Sequence, residues 1–118
     1  MNTNKKHLFI NKLAENTANN KYEWYSLNEN RPNRLNDAIS PADLSQLNLI
    51  NCYWFENEKQ MIFLLATFQM QYSLLLIDKG SNKTARMKIT TESYFRLKTL
   101  ILNSLGTQDK LINDFLDS

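Results

Sequence analysis

Few side chains in this 118-residue chain are of the types that carry acid–base or metal chemistry. His7 is the only histidine and Cys52 is the only cysteine, 45 positions further along. General acid–base catalysis needs a positioned titratable group, and a transition-metal site needs several ligands at short spacing. His7 stands beside two lysines near the start of the chain, which is typical of a solvated surface position. We therefore expect a non-enzymatic protein without a metal or another cofactor.

The carboxylates do not form a recognisable catalytic pattern either. Glu56 and Glu58 flank a predicted hairpin turn, where acidic side chains commonly keep a sheet edge soluble. Asp37 together with the run Glu56-Asn57-Glu58-Lys59 resembles a nuclease pattern only faintly, because Lys59 follows the second glutamate instead of standing two residues beyond the first. A two-carboxylate mechanism would need a second constellation facing these residues, and the sequence offers none.

The amino-acid composition limits the other classes of function that the chain could have. Fourteen basic and twelve acidic side chains give a net charge of +2, which is too balanced to indicate nucleic acid by itself. The only two glycines, Gly80 and Gly106, are too few for a phosphate-cradling loop. A lone cysteine within an aromatic run predicts a small buried hydrophobe at Cys52. The lysines near the start precede only a short apolar triplet, so we expect no signal peptide and a cytoplasmic protein.

Aromatic side chains are concentrated on one predicted strand. Tyr53 and Trp54 are neighbours in the run NCYWFE, so they point to opposite faces of a strand. With Trp24 and Tyr25 they could form a base-stacking platform of the kind used by sheet-type RNA-binding proteins. The alternative is that these rings belong to the core, and the sequence leaves both interpretations open.

Basic side chains occur at two places that suit recognition. Arg86 and Lys88 are two residues apart on a predicted strand, which puts them on one face. Arg31 and Arg34 lie in a Pro-containing loop, where they could contact an acidic partner. The alternative for both pairs is a solvated surface. We take Arg31, Arg34, Tyr53, Trp54, Arg86 and Lys88 as the candidate partner-binding residues.

The elements that position these residues are organised around the stretch 51–89. Its short apolar and aromatic runs are separated by polar breaks, which is typical of an antiparallel meander. A helix over 60–77 remains an alternative, because the spacing of apolar residues alone does not distinguish a strand from a helix in short apolar runs. The tract 61–77 is too short and contains too many polar residues to span a membrane. We predict strands over 49–56, 60–68, 72–78 and 84–90.

The flanking segments predict one further strand and several helices. The alternating run 21–27 predicts a strand, and 28–39 predicts a long loop. Ser40 followed by Pro41 is a typical helix start. Gly106 suits the end of one C-terminal helix and Thr107 the cap of another, whose apolar side holds Leu111, Ile112, Phe115 and Leu116. Predicted helices cover 5–18, 40–47, 91–105 and 108–117.

The predicted fold is therefore a single α+β domain over 1–118. Its antiparallel sheet of about five strands, a β-meander, is flanked by an N-terminal helix, a short helix and two C-terminal helices. The central strands are apolar at consecutive positions, which predicts cover on both faces. If the helices leave the second face open, that face must meet another chain, in a homodimer or with a stoichiometric partner.

For function, the sequence favours a protein-binding module that inhibits or scaffolds another macromolecule. The small, glycine-poor chain is typical of bacterial or phage immunity proteins and inhibitors, whose partner would be a toxin, a defence component or a second copy of the chain. The alternative is a small nucleic-acid-binding regulator that uses the basic strand and the aromatic side chains. A sensor with a small-ligand pocket is a third possibility.

Overall fold

The computed structural model describes residues 3–118, which form four helices, a short 3-10 turn and five strands. Residue contacts divide them into two compact units, one containing the residues up to Tyr22 together with Phe95–Ser118 and the other containing Glu23–Tyr94. The elements are α1 (Thr3–Ala18), β1 (Tyr25–Ser26), α2 (Asn33–Ala38), α3 (Pro41–Gln46), the 3-10 turn (Leu49–Asn51), β2 (Tyr53–Glu56), β3 (Gln60–Ala66), β4 (Tyr72–Asp78), β5 (Thr84–Ile89) and α4 (Thr91–Leu116).

The second unit contains the sheet, in which each strand pairs antiparallel with the next along the chain in the order β1 to β5. Phe63 in the middle of β3 lies opposite Trp54 on one side and Leu75 on the other. This meander, flanked by helices, confirms the predicted α+β fold. Residues 60–66 and 72–78 are strands, so the helical alternative for 60–77 is excluded.

Side chains that point to both faces of the central strands are buried. Phe63, Leu64 and Leu65 are consecutive on β3, hence alternate between the two faces, and all three are fully buried. The segment that crosses one face includes Leu35 of α2, also fully buried, and Asn30, whose carbonyl oxygen accepts a hydrogen bond from Trp54 Nε1 over 2.7 Å. The consecutive apolar residues of β3 are therefore core residues, as their pattern predicts.

Several local predictions differ from the structure. The predicted loop after residue 28 contains α2, which places Leu35 in the core, and the predicted strand 21–27 is reduced to Tyr25–Ser26. Residues 49–51, predicted as the start of a strand, form the 3-10 turn. The predicted start of α3 is confirmed, because Ser40 Oγ accepts a hydrogen bond from the Asp43 amide over 3.1 Å.

The two predicted C-terminal helices are one continuous helix, α4. Gly106 does not adopt a positive φ, so it does not terminate the helix as a glycine in the left-handed conformation would. Thr107 does not cap a new helix either, because its Oγ1 donates a hydrogen bond to the Asn103 carbonyl oxygen over 3.0 Å, one turn back. Within residues 3–118, no helix combines the length and the apolar character that crossing a membrane requires.

The first unit is built from α1 and most of α4. One face of α1 is buried at Ile10, Leu13, Ala14 and Thr17, while Phe9 is half-buried. Arg96 Nη1 donates a hydrogen bond to Asn11 Oδ1 over 2.9 Å and so joins the two helices. The buried side of α4 in this unit consists of Leu97, Ile101 and Ser104.

Candidate protein-binding surface

The connection between β3 and β4 presents two large apolar side chains to solvent. Phe68 is 64% exposed and Met70 is 76% exposed. The turn that carries them is internally hydrogen-bonded: the Thr67 amide donates to the Gln71 carbonyl oxygen over 3.0 Å, and the Gln71 amide donates to Thr67 Oγ1 over 3.1 Å. Phe68 and Met70 are therefore displayed by an ordered turn.

A second set of hydrogen bonds ties this turn to the end of α3. The Phe68 amide donates to the Gln46 carbonyl oxygen over 3.1 Å, and the Asn48 amide donates to the Ala66 carbonyl oxygen over 2.8 Å. Leu47 and Thr67 form an isolated β-bridge between these two bonds. The segment after α3 thus acts as a short extra strand that fixes the position of the turn.

A concavity of about 560 Å³ lies beside Phe68. Most of its lining is apolar, and the exposed Ile50 stands at its edge. Arg31, predicted as a partner contact, is the charged side chain that lines it. We call the residues Arg31, Ile50, Phe68 and Met70 the turn surface. The apolar residues that line the concavity with Arg31, Ile50 and Phe68 are Pro41, Leu44, Leu47 and Leu49.

Met70 has an unfavourable backbone conformation for its residue type. Its φ is 61°, in the left-handed region that disfavours residues with a side chain. Its amide nevertheless donates a hydrogen bond to the Thr67 carbonyl oxygen over 3.0 Å, which helps to hold the turn in this shape. Strain of this kind is concentrated at functional positions, where the surrounding structure maintains it.

Arg86 and Lys88 lie together on another cleft, of about 610 Å³, next to Met70. Arg86 is held inside the protein's own network, because its Nε donates to Ser73 Oγ over 3.2 Å and its Nη1 lies 3.9 Å from Asp43 Oδ2. Lys88 is exposed on the same face of β5. The cleft is lined mainly by polar side chains, and Asp43 offsets part of its positive charge.

Arg31 and Arg34, predicted as a pair, have different environments. Arg34 Nη1 donates a hydrogen bond to the Lys79 carbonyl oxygen over 3.0 Å, which connects α2 to the turn between β4 and β5. Lys79 also forms an ion pair with Glu56 over 3.4 Å. Arg34 is thus placed in a structural contact away from the turn surface, whereas Arg31 lines the concavity.

Tyr53 and Trp54 are core residues, which answers the question that the sequence left open. Each exposes about 5–6% of its surface. The Trp54 ring lies between those of Tyr25 and Phe63, at centroid distances of 4.9 and 5.9 Å. Burial raises the pKa of Tyr53 above its ordinary value. Neither ring is positioned to stack on a base or to contact a partner, so both leave the set of surface candidates.

Cys52 is also a core residue, as predicted. It is fully buried, its Sγ donates to the Asn48 carbonyl oxygen over 3.3 Å, and the same atom accepts from the Ala66 amide over 3.3 Å. Burial is the largest influence on its acidity and raises the pKa of the thiol to about 11. The thiol of Cys52 therefore serves packing and hydrogen bonding.

Three residues of the turn surface were not among the sequence candidates. Ile50 and Phe68 fall within predicted strands, where an apolar residue suggests the core. Met70 lies within an apolar tract, and the signal that could have identified it is its position between Gln69 and Gln71. Such a polar break indicates a turn, and the apolar residues of a turn tip are exposed.

Within the described residues 3–118, no three His, Cys, Asp or Glu side chains are close enough together to hold a metal ion. Comparison of the chain with protein-family models, with curated proteins and with solved structures finds no match.

Proposed function

We propose that this chain is a non-enzymatic protein-binding module that inhibits or scaffolds another macromolecule. Its partner would be a toxin or a defence component, as for the immunity proteins and inhibitors of bacteria and phages, and it would act in the cytoplasm. The observation that carries the proposal is the turn surface, where Phe68 and Met70 are exposed on an ordered turn beside Arg31 and an apolar concavity.

The composition of the turn surface supports a protein partner. Aromatic residues, methionine and arginine are enriched where proteins meet, and aromatic and arginine side chains dominate the binding energy. Ile50 and Phe68 line the same concavity and are 62% and 64% exposed, and apolar side chains exposed together in this way mark interaction sites. A partner side chain could fill the concavity beside Phe68 while Arg31 contacts an acidic group.

The rigidity of the turn supports the same function. Binding costs free energy for every side chain and loop that must become ordered, and a surface fixed in advance avoids part of that cost. The bonds from Phe68 to Gln46 and from Asn48 to Ala66 fix the turn before any partner arrives.

A nucleic-acid-binding regulator is the second candidate, favoured by the presence of Arg86 and Lys88 on one cleft. Two features weaken it: Arg86 lies near Asp43, and the aromatic rings of Tyr53 and Trp54 are buried. Binding to phosphates depends steeply on salt concentration, because cations are released from the nucleic acid, whereas an apolar protein interface depends on salt only weakly.

The first experiment is a pull-down from cells of the source organism with nuclease-treated lysate. The bait is the wild-type protein, the Phe68→Asp variant or the Leu102→Asp variant. Leu102 is an exposed apolar residue on α4 outside the turn surface, so it controls for the added charge. We expect one protein to be retained by the wild type and by Leu102→Asp but lost with Phe68→Asp. Identical capture by all three baits would refute this use of the turn surface.

A further inference from the structure

The C-terminal end of α4 carries a second exposed apolar surface, in the first unit. Every residue from Asp109 to Ser118 is exposed, although α4 continues to Leu116. Four of these residues are large and apolar, with exposed fractions between 57% and 78%. We call them the apolar tail: Leu111, Ile112, Phe115 and Leu116.

The apolar tail continues the buried side of the same helix. Leu97, Ile101 and Ser104 are buried and spaced by three or four residues. The same spacing continues through Gln108 to Leu111 and Phe115. Residues three or four apart share one side of a helix, so the side that is covered in the first half of α4 is uncovered at its end.

The apolar tail has a large exposed area. At the observed exposure the four side chains present roughly 500 Å² to water, near the upper limit for a single patch on a monomer. An exposed amphipathic helix end of this kind is stabilised when a second apolar surface covers it.

The charges around the apolar tail indicate what covers it. Residues 109–117 contain Asp109, Asp114 and Asp117 against one lysine, Lys110, which gives a net charge of −2. Two such segments packed against each other would bring like charges together. A basic surface with an apolar centre is therefore the better complement.

The outer side of α1 has these properties. Leu8 is 69% exposed, and Lys5 and Lys12 stand three residues before it and four residues after it, hence on the same side of the helix. Both lysines are exposed. Glu15, seven residues after Leu8, is exposed on this side too, so this side of α1 combines an exposed leucine with a net charge of +1.

We propose that the apolar tail of one copy of the chain packs on the Leu8 side of α1 in a second copy. The arrangement is reciprocal, with two equivalent contacts related by a two-fold axis. The two tails alone remove roughly 1,000 Å² from water, and the α1 surfaces that they cover add to this, which reaches the size of specific interfaces. The dimer uses residues separate from the turn surface, so it is independent of the proposed function.

Sedimentation velocity from low to high micromolar concentration tests the dimer. The wild type is expected to associate, and Phe115→Asp is expected to raise the dissociation constant at least tenfold, because it puts a charge into each contact. Asn103→Asp, at an exposed position on the opposite side of α4, is expected to associate like the wild type. A monomeric wild type at the highest concentration, or undiminished association of Phe115→Asp, overturns the proposal and leaves the apolar tail to another partner.

Mixing two variants tests whether α1 is the surface that the apolar tail contacts. Leu8→Asp alone should weaken association like Phe115→Asp, with circular dichroism confirming that both variants remain folded. A heterodimer of these variants keeps one contact intact, formed by the unaltered tail of the Leu8→Asp chain and the unaltered α1 of the Phe115→Asp chain. The mixture should therefore associate more tightly than either variant alone. If it does not, or if Leu8→Asp associates like the wild type, the proposed contact is wrong.

Discussion

The backbone amide of Phe68 donates a hydrogen bond to the carbonyl oxygen of Gln46 over 3.1 Å. This bond connects the tip of the β3–β4 hairpin to the end of α3, so the turn that exposes Phe68 is fixed by its backbone. The side chain of Phe68 itself contributes little to that connection. Binding and stability should therefore be separable at this residue.

Phe68→Ala is expected to lower affinity for the partner by at least tenfold, about 1.4 kcal/mol or more, because a central aromatic residue is lost from the interface. The free energy of unfolding should change by about 0.5 kcal/mol or less, since the side chain is exposed and the backbone bond to Gln46 remains. Isothermal titration calorimetry with the captured partner and urea unfolding measure the two effects. A large loss of stability with unchanged affinity would show that Phe68 is structural.

Arg31 and Arg34 are expected to behave oppositely when each is replaced by alanine. Arg31→Ala should weaken partner binding and leave unfolding unchanged, because its side chain lines the concavity. Arg34→Ala should leave binding unchanged and lower the free energy of unfolding by roughly 0.5–1.5 kcal/mol, because it removes the bond to the Lys79 carbonyl oxygen. Each variant is the control for the other. Equal effects of both on affinity would mean that the loop binds as a unit.

Gly106→Ala is expected to stabilise the protein. Gly106 is inside a continuous helix without a positive φ, and an added Cβ would meet no atom within 4 Å. Alanine is better than glycine in a helix interior by about 0.5–1 kcal/mol. Thermal unfolding followed by circular dichroism should give a higher Tm. A lower Tm would indicate that the chain needs glycine there, as it would if two helices met at this residue.

Most of the sheet was predictable because the residues that indicate each strand lie within the strand or directly beside it. The polar breaks on either side of residues 72–78 bound β4, and the consecutive apolar residues of β3 predicted cover on both faces. The end of α4 was not predictable in the same way. Gly106 and Thr107 are typical boundary residues, but the helix continues because Thr107 bonds back to Asn103. The residue types at 106 and 107 are compatible both with a helix end followed by a new cap and with a continuous helix, so they do not show which of the two forms.

The candidate site was less predictable than the fold, because exposure depends on distant parts of the chain. Trp54 is buried because the segment containing Asn30 covers it from more than 20 positions away. Arg34 is structural because its side chain meets the Lys79 carbonyl oxygen on another turn. Phe68 is exposed because the hairpin turns just beyond β3. None of these contacts is encoded in a short sequence pattern.

Stability at alkaline pH should reflect Cys52. Its thiol has a pKa of about 11 in the folded protein against an ordinary value of 9.0, because burial disfavours the thiolate. Because the pKa of Cys52 is higher in the folded protein, the neutral thiol stabilises the fold fully below about pH 9, and this contribution to the free energy of unfolding is lost as the pH rises toward 11. Burial also raises the pKa of Tyr94, which acts in the same direction.

Cys52→Ala isolates the contribution of the thiol. This variant should be less stable than the wild type at neutral pH, because it loses the hydrogen bonds of Sγ, but its free energy of unfolding should fall less between pH 9 and 11. Urea unfolding at a series of pH values measures how steeply the free energy of unfolding falls with pH in the wild type and in Cys52→Ala. Equal slopes would show that the thiol does not titrate in this range in the way its burial predicts.

The central claim is that the turn surface binds a protein through apolar contacts. The most direct measurement is the dissociation constant of the purified partner from low to high salt, for the wild type and for Phe68→Asp. We expect a weak dependence on salt for the wild type and at least a tenfold weaker complex for Phe68→Asp at every salt concentration. A steep loss of affinity with salt, unchanged by Phe68→Asp, would contradict the claim and favour phosphate binding through Arg86 and Lys88.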